Sequence, residues 1–274
     1  MQIEHLEKKA LQHRKTIMEI LYNAGSGHPG GSLSAAEVVT ALYYEIMNVD
    51  PKNPKDPDRD RFIMSKGHAC PIQYVCLADL GYFPEEDLMT LRKIDSHLQG
   101  HPDMHKTPGI DISTGSLGQG LSIGLGMALC AKLDKKDYQT YVVLGDGEIQ
   151  EGSVWEAAMA ASYHKADNLT GILDFNGLQL DGRVKDIMDL GDISAKWKAF
   201  GWNVQEIDGH NMKSVVHALE NAKNNDNGRP NMIIANTVKG KGVKCLENQV
   251  SSHGSPVSKE VFDSAMVDFK GDNK

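Results

Sequence analysis

Cysteine is scarce in this chain: four in 274 residues, Cys70, Cys76, Cys130 and Cys245, with no CxxC pair. That excludes a disulfide scaffold and the common zinc or redox spacings, and reads as reduced thiols in a cytoplasmic protein. Long apolar runs are also missing. The longest, Leu121–Ala131, is about half a membrane span and carries glycines, so no membrane-crossing segment is expected. The N-terminus, MQIEHLEKKALQHRK, holds no secretory apolar core and reads as a charged amphipathic helix. Positive charge is not in excess either: 29 basic against 37 acidic residues give a net charge of −8, which leaves no basic face for nucleic acid. No internal repeat or low-complexity linker divides the sequence, so one domain over residues 1–274 is expected.

What is present alternates in period. Leu6, Ala10, Ile17 and Leu21 fall at helical spacing, which predicts a first helix to about Asn23. The run Gly25–Gly31, with four glycines and a proline, reads as a loop. Ser34 with Glu37 three positions on predicts a capping box and a helix whose stripe is Val38, Leu42 and Ile46. A Pro-rich surface loop, Asn48–Asp60, leads to a short buried strand, Arg61–Ser65, and a helix, Ala69–Leu80. From Asp95 to Gly115 there is little periodicity, and a loop that long inside a domain points to function. Ser116–Lys132 has no charge before Lys132 and predicts a helix buried all round. Later segments alternate again: loop Asp181–Met188, helix Ile193–Phe200, strand Trp202–Ile207, helix Met212–Asn225 and strand Asn231–Asn236. Lys239–Pro256 is loop-like, and the polar tail Gly271–Lys274 reads as frayed. Strands alternating with helices predict the α/β class, a mostly parallel sheet with helices on both faces.

The stretch around which this pattern is organised is Tyr141–Gly182. Two apolar runs, Tyr141–Leu144 and Gly171–Phe175, read as buried parallel strands joined by a helix, Ser153–His164. In such a sheet ligands sit outside the carboxyl ends of the strands. Gly145-Asp146-Gly147 follows the first run and Asn176 the second, so Asp146 and Asn176 are expected side by side at that edge. A carboxylate and an amide oxygen are hard ligands, suited to Mg²⁺ or Ca²⁺. The glycines allow a phosphate close to the backbone.

GDG with an Asn thirty positions after the Asp resembles the thiamine diphosphate motif. Further blocks make the resemblance specific: SGHPGGSLS (Ser26–Ser34), DRFIMSKGHA (Asp60–Ala69), GHP (Gly100–Pro102), TGSLGQGL (Thr114–Leu121), GDGEIQEG, and KGKGV with SSHG near the end. In order, over nearly the whole chain, they resemble the N-terminal, diphosphate-binding part of transketolase.

The resemblance implies thiamine diphosphate and a divalent ion, Mg²⁺ with Ca²⁺ or Mn²⁺ as alternatives. Asp146 and Asn176 would ligate the metal through their side chains and Leu178 through its carbonyl. Gly147 and Glu148, of the same block, would belong to the cofactor site, with Gly147 against the diphosphate. Glu151 matches an acidic residue near the metal and the subunit contact. Gly115, Ser116 and Leu117 resemble the segment beside the aminopyrimidine. His68 matches a histidine near diphosphate and substrate, and His101 one that bonds the donor's terminal hydroxyl. His28 and His253 match the pair that stabilises the substrate oxygen and relays its proton. Ketol transfer breaks the bond beside a ketose carbonyl, so an oxyanion needs a donor and an adjacent hydroxyl must lose its proton. Histidine serves both needs near neutral pH. His210, in Asp208-Gly209-His210-Asn211, reads as a cap for the following helix.

The family's full chain is well over twice this length. Its second domain binds the aminopyrimidine and carries the glutamate that activates it, together with the basic residues that hold the sugar phosphate. The resemblance therefore implies an N-terminal subunit that works with a separate C-terminal subunit, in a heterotetramer of two such pairs acting on sugar phosphates. The initial Met and polar tail read as natural ends, with a piece of a longer chain as the alternative. Competing readings are a deoxyxylulose phosphate synthase or 2-oxo acid dehydrogenase component, whose patterns differ around His28 and His253, and a non-catalytic diphosphate-binding module, which has no need of the loop histidines.

Overall fold

The computed structural model describes residues 3–271. Its centre is a five-stranded sheet, parallel throughout, in the order β1 (Arg61–Met64), β2 (Thr140–Gly145), β3 (Leu169–Phe175), β7 (Asn231–Asn236), β6 (Asn203–Asp208). Successive residues of a strand face opposite sides. Tyr141 and Val143 enter one apolar core, and Val142 and Leu144 the other. Strands buried on both faces are apolar at nearly every position, which is why β2 and β3 read as near-continuous runs, with Asp174 the buried charged exception in β3.

The first core is built against α1 (Ile3–Ala24), α3 (Ala36–Ala41), α4 (Cys70–Leu80), α9 (Met212–Lys223) and α10 (Lys259–Gly271). The second packs against α5 (Gly120–Leu133), α6 (Gly152–Tyr163) and α8 (Ile193–Ala199). Helices thus cover both faces of a parallel sheet, as the alternating pattern required. The stripe expected on α1 is buried: Leu6 and Ile17 are at 0%, Leu21 at 1% and Ala10 at 2% exposure. Each large apolar side chain so buried contributes roughly 1.5–3 kcal/mol relative to exposure.

Several local expectations are corrected. The segment Gly25–Gly31 is not wholly loop, because α2 (Pro29–Ser34) begins inside it, with Pro29 in the first turn. Proline's fixed φ suits that position. Gly30 is there for lack of space: a Cβ would lie 2.6 Å from Ser252 Oγ and 2.9 Å from Lys239 Cγ. Ser34 therefore ends a helix, and the residue before α3 is Ala35, with no side-chain cap. Glu37 does not close a capping box; it is buried in an ion pair with Arg14. The helix predicted over Ser116–Lys132 starts only at Gly120, and one of its faces is open: Gly120, Leu121, Gly124, Leu125, Ala128 and Ala131 are buried, while Ser122, Gly126 and Cys130 are exposed. Within 181–188, expected as loop, lie part of a two-stranded antiparallel hairpin, β4 (Leu178–Gln179) with β5 (Gly182–Arg183), and α7 (Val184–Met188). Helix α10 is an addition to the predicted elements. Gly271 is its last residue, and 272–274 of the polar tail lie outside the described residues.

Candidate active site

The carboxyl ends of four neighbouring strands converge on one edge. β1 runs into Ser65-Lys66-Gly67-His68, β2 into Asp146, β3 into Asn176, and β7 into Thr237 and Lys239. A cleft of about 330 Å³ opens there, lined among others by Asp146, Gly147, Asn176, Leu178, Lys239 and His253. A larger cleft of about 530 Å³ lies elsewhere, between Asn48, Asp60, Tyr138 and Lys223. Two of its buried groups are engaged within the protein: the Asp60 oxygens accept from the Asn48 and Gln139 amides, and Tyr138 Oη donates to the Met127 carbonyl.

Asp146 is 2% exposed and both its oxygens face backbone amides, Oδ1 that of Gly147 at 2.8 Å and Oδ2 that of Gly177. Burial, and then the Asp174 carboxylate, push its carboxyl up to about 6. Asn176 Oδ1 accepts from the Leu178 amide at 3.1 Å, and its Nδ2 donates to Asp174. The Leu178 carbonyl accepts from Lys239 Nζ at 3.1 Å. An under-compensated buried carboxylate, an amide oxygen and a carbonyl already approached by a cationic group suit a hard divalent cation. Among the described residues no group of three or more His, Cys, Asp or Glu is placed to hold a metal, so carboxylate, amide and carbonyl are the donors on offer. Gly147 gives room above them: a Cβ there would lie 2.9 Å from the Gln179 Cβ.

Four imidazoles cluster at the cleft, His68 and His253 lining it and His28 and His101 adjoining them. Ring centroids are 5.1 Å apart for His28 and His68, 5.0 Å for His68 and His253, 5.5 Å for His28 and His253, and 6.4 Å for His28 and His101. They come from the start of α2, the turn after β1, the long loop and the C-terminal loop, segments up to 225 residues apart (253 − 28). All four are held neutral. Burial, then Arg92, His101 and Lys239, take His28 down to about 4, and burial, then Lys239 and His28, take His253 to about 4. His68 is driven well below the ordinary imidazole value by burial and Lys66. Partial desolvation and then Arg92 lower His101. His28 Nδ1 is buried with no protein partner.

The remaining expected residues divide. Leu117 and Glu151 line the cleft, and Gly115 packs against the His101 ring, where a Cβ would lie 3.2 Å from Cδ2. Ser116 is exposed beside them. Glu148 lines the cleft as well, but its oxygens are engaged by Ser65, the Gly118 amide at 3.0 Å and the Gly145 amide at 3.0 Å. It ties three segments of the site together and offers no free oxygen to a ligand. His210 does not cap α9; Asn211 does, accepting from the Ser214 amide at 3.0 Å. His210 instead bridges Glu37, 3.0 Å from Nδ1, and the Val238 amide, which donates to Nε2 at 2.8 Å.

Four further residues belong to the site although the sequence reading gave them no role, Lys66 and Lys239 lying within two of the blocks quoted above and Asp174 and Arg92 outside them. Lys66, 2% exposed, pairs with Asp174 and donates to the Gly31 carbonyl at 3.0 Å. Lys239, also 2% exposed, has its ammonium lowered to about 8, first by burial, and approaches His253 Nδ1 at 2.9 Å. Asp174 lies below Asn176, and Arg92 sits against Gly100 beside His101. Lys66, Asp174 and Lys239 lie at or just beyond the carboxyl ends of strands, which is the signal the sequence did carry.

Comparison with known proteins fits this geometry. The family model described as "Transketolase, thiamine diphosphate binding domain" matches residues 7–269. The chain is 45% identical to the 6-deoxy-6-sulfo-D-fructose transketolase subunit SqwG of Clostridium sp. (strain MSTE9), covering 97% of this chain and 96% of that one. It is 44% identical to an apulose-4-phosphate transketolase subunit of Phocaeicola vulgatus, covering 97% and 94%. The transketolase of Campylobacter jejuni superposes with a TM-score of 0.91 at 34% identity, over 98% of this chain but 43% of that one. Fold and site thus define a thiamine diphosphate-binding domain. The chain belongs to the transketolase family and is the N-terminal subunit of a split, thiamine diphosphate-dependent transketolase.

Proposed function

We propose that this subunit binds the diphosphate half of the cofactor through a divalent ion, Mg²⁺ in the first instance, and completes its site against a separate C-terminal subunit. The observation that carries the reading is the meeting, at one sheet edge, of Asp146, Asn176 and the Leu178 carbonyl with four neutral imidazoles. Residues 1–274 serve as one diphosphate-binding domain in this scheme. Thiamine diphosphate supplies, when bound, a nucleophilic carbon and an electron sink for the two-carbon unit.

The chain's own residues do the rest. Asp146 and Asn176 oxygens and the Leu178 carbonyl hold the ion. Lys239, buried with no carboxylate partner within ion-pair distance among the described residues, faces the anionic diphosphate. Gly147 and Glu148 shape the floor, and Gly115, Ser116 and Leu117 the rim toward the aminopyrimidine. Glu151 stands where the partner meets the site. His68 lies between diphosphate and substrate, and His101 bonds the donor's terminal hydroxyl. His28 and His253 donate to the oxyanion and accept the proton of the neighbouring hydroxyl. Neutral imidazoles suit that work, since each presents one donor and one acceptor.

The substrates are ketose donors and aldose acceptors ending in an anionic group, phosphate in the first instance. The names of the two subunit relatives, with their sulfonated ketose and apulose 4-phosphate, support this class. The assembly proposed is a heterotetramer of two such pairs, acting in the cytoplasm. Among the described residues no helix is long and apolar enough to cross a membrane. Co-expression with a partner bearing the pyrimidine domain, followed by ketol-transfer assays over several ketose and aldose phosphates, tests the proposal. Transfer in the mixture supports it, and its absence with every pair contradicts it.

A further inference from the structure

Asp174 lies beneath the metal-binding edge without facing it. It is 3% exposed, and donors from four separate segments surround its carboxylate. Ser34 Oγ donates to Oδ2 at 2.6 Å, Asn176 Nδ2 donates to the same oxygen at 3.0 Å, and Lys66 Nζ joins them. Thr237 Oγ1 donates to Oδ1. Ser34 ends α2, and the other three donors follow β1, β3 and β7, so one carboxylate ties together segments that build the cleft floor.

The consequence for Asn176 is rotational. A side-chain amide is nearly symmetric in shape, and turned through half a circle it fills the same space with donor and acceptor exchanged. An ionised carboxylate only accepts. The edge of Asn176 that meets Asp174 must therefore be the NH₂ group, and Oδ1 is turned away, where it accepts from the Leu178 amide with a second lone pair free. Only this orientation offers a cation an oxygen. The flipped one would aim two N–H groups at the cation and press Oδ1 against a carboxylate.

We infer that Asp174 is a positioning residue for the metal: by accepting from Nδ2 it holds the Asn176 oxygen toward the cation, while its pairing with Lys66 offsets a buried positive charge beneath that cation. The inference rests on the metal reading proposed above. Asp174 is not itself a ligand, because its two oxygens already face four donors. Outer partners of this kind commonly govern metal affinity by about 10–100-fold.

The test uses Mn²⁺ as probe, with thiamine diphosphate at saturation, and reads free Mn²⁺ by electron paramagnetic resonance on the full chain. Thermal unfolding without metal monitors the fold. Asp174→Asn is expected to weaken Mn²⁺ binding about tenfold or more. Asn176→Asp, a carboxylate that needs no orientation, should suffer from repulsion by Asp174. Adding Asp174→Asn to Asn176→Asp should then strengthen binding, because the amide and carboxylate exchange places and one hydrogen bond between them is restored. That reversal of sign distinguishes a positioning role from a scaffold role, since a residue needed only for Lys66, Ser34 and Thr237 would weaken binding in both backgrounds. Asp174→Asn with wild-type affinity overturns the inference. So does a double variant that binds no better than Asn176→Asp, a comparison that stands even if the single Asp174→Asn variant fails to fold. A wild-type chain that holds no Mn²⁺ overturns the metal reading and the inference together, an outcome separable from the other two.

Discussion

Lys239 donates its ammonium to the Leu178 carbonyl at 3.1 Å, the carbonyl that the site would offer a metal ion. A buried ammonium and a divalent cation at one carbonyl oxygen repel each other, so loading the metal is expected to displace Lys239, toward the diphosphate on the reading proposed above. Lys239→Met is therefore expected to weaken thiamine diphosphate binding in the presence of Mg²⁺ by about 10–100-fold, the value of a charge-assisted hydrogen bond of roughly 1.5–3 kcal/mol. Calorimetry decides: unchanged affinity would remove Lys239 from the diphosphate site.

Asp146→Ala is expected to abolish metal-dependent cofactor binding, and Asn176→Ala to weaken it strongly. Asp146 is the only one of the three expected donors that carries charge, and its carboxylate sits buried with backbone amides about it. Calorimetric titration of the assembled enzyme with thiamine diphosphate and Mg²⁺ measures both. Unaltered affinity in the Asp146→Ala variant contradicts the assignment.

His101→Ala and His253→Ala are each expected to lower turnover by roughly a hundredfold or more while the cofactor stays bound, as for loss of an oxyanion donor or proton-transfer group. The cofactor content of each variant, read alongside kcat, separates chemistry from binding. Near-normal turnover in either variant would return that histidine to a structural role.

Stability should carry the signature of the same imidazoles. His28 and His253 are held at about 4 against an ordinary value of 6.5, so the unfolded chain binds more protons than the folded one between those limits. Their stability contribution is complete above about 6.5 and is lost as pH falls toward 4. Urea midpoints taken from about pH 7.5 to about pH 4.5 should drop, and they should drop less steeply in the His28→Asn/His253→Asn variant. Parallel slopes for the two proteins would contradict the depressed values.

The parallel sheet was legible because strands buried on both faces leave continuous apolar runs, as at Tyr141–Leu144. Asp146 and Asn176 were legible because strand ends fall at one edge of such a sheet. What escaped was decided by tertiary contact. Ser34 and Glu37 have the spacing of a capping box, yet Ser34 bonds Asp174, 140 residues away, and Glu37 bonds Arg14 and His210. Asp174 sits inside an apolar run and reads as a lone polar residue until Lys66 and Thr237 are seen beside it. Pro29 and the glycines after it read as a helix breaker, because the sequence does not show the close approach of Ser252 and Lys239 that makes Gly30 necessary. The open face of α5 reads as buried because its residues are apolar or small, and composition by itself does not tell an exposed small-residue face from a packed one.

The measurement that bears most directly on the whole reading is steady-state ketol transfer by this chain purified to homogeneity, by the partner by itself, and by their mixture, with sedimentation of each. The expected result is no transfer by either chain in isolation, since the groups that hold and activate the aminopyrimidine are proposed to lie in the partner, and transfer only in the mixture, at the mass of two pairs. Robust transfer by this polypeptide without a partner would contradict it.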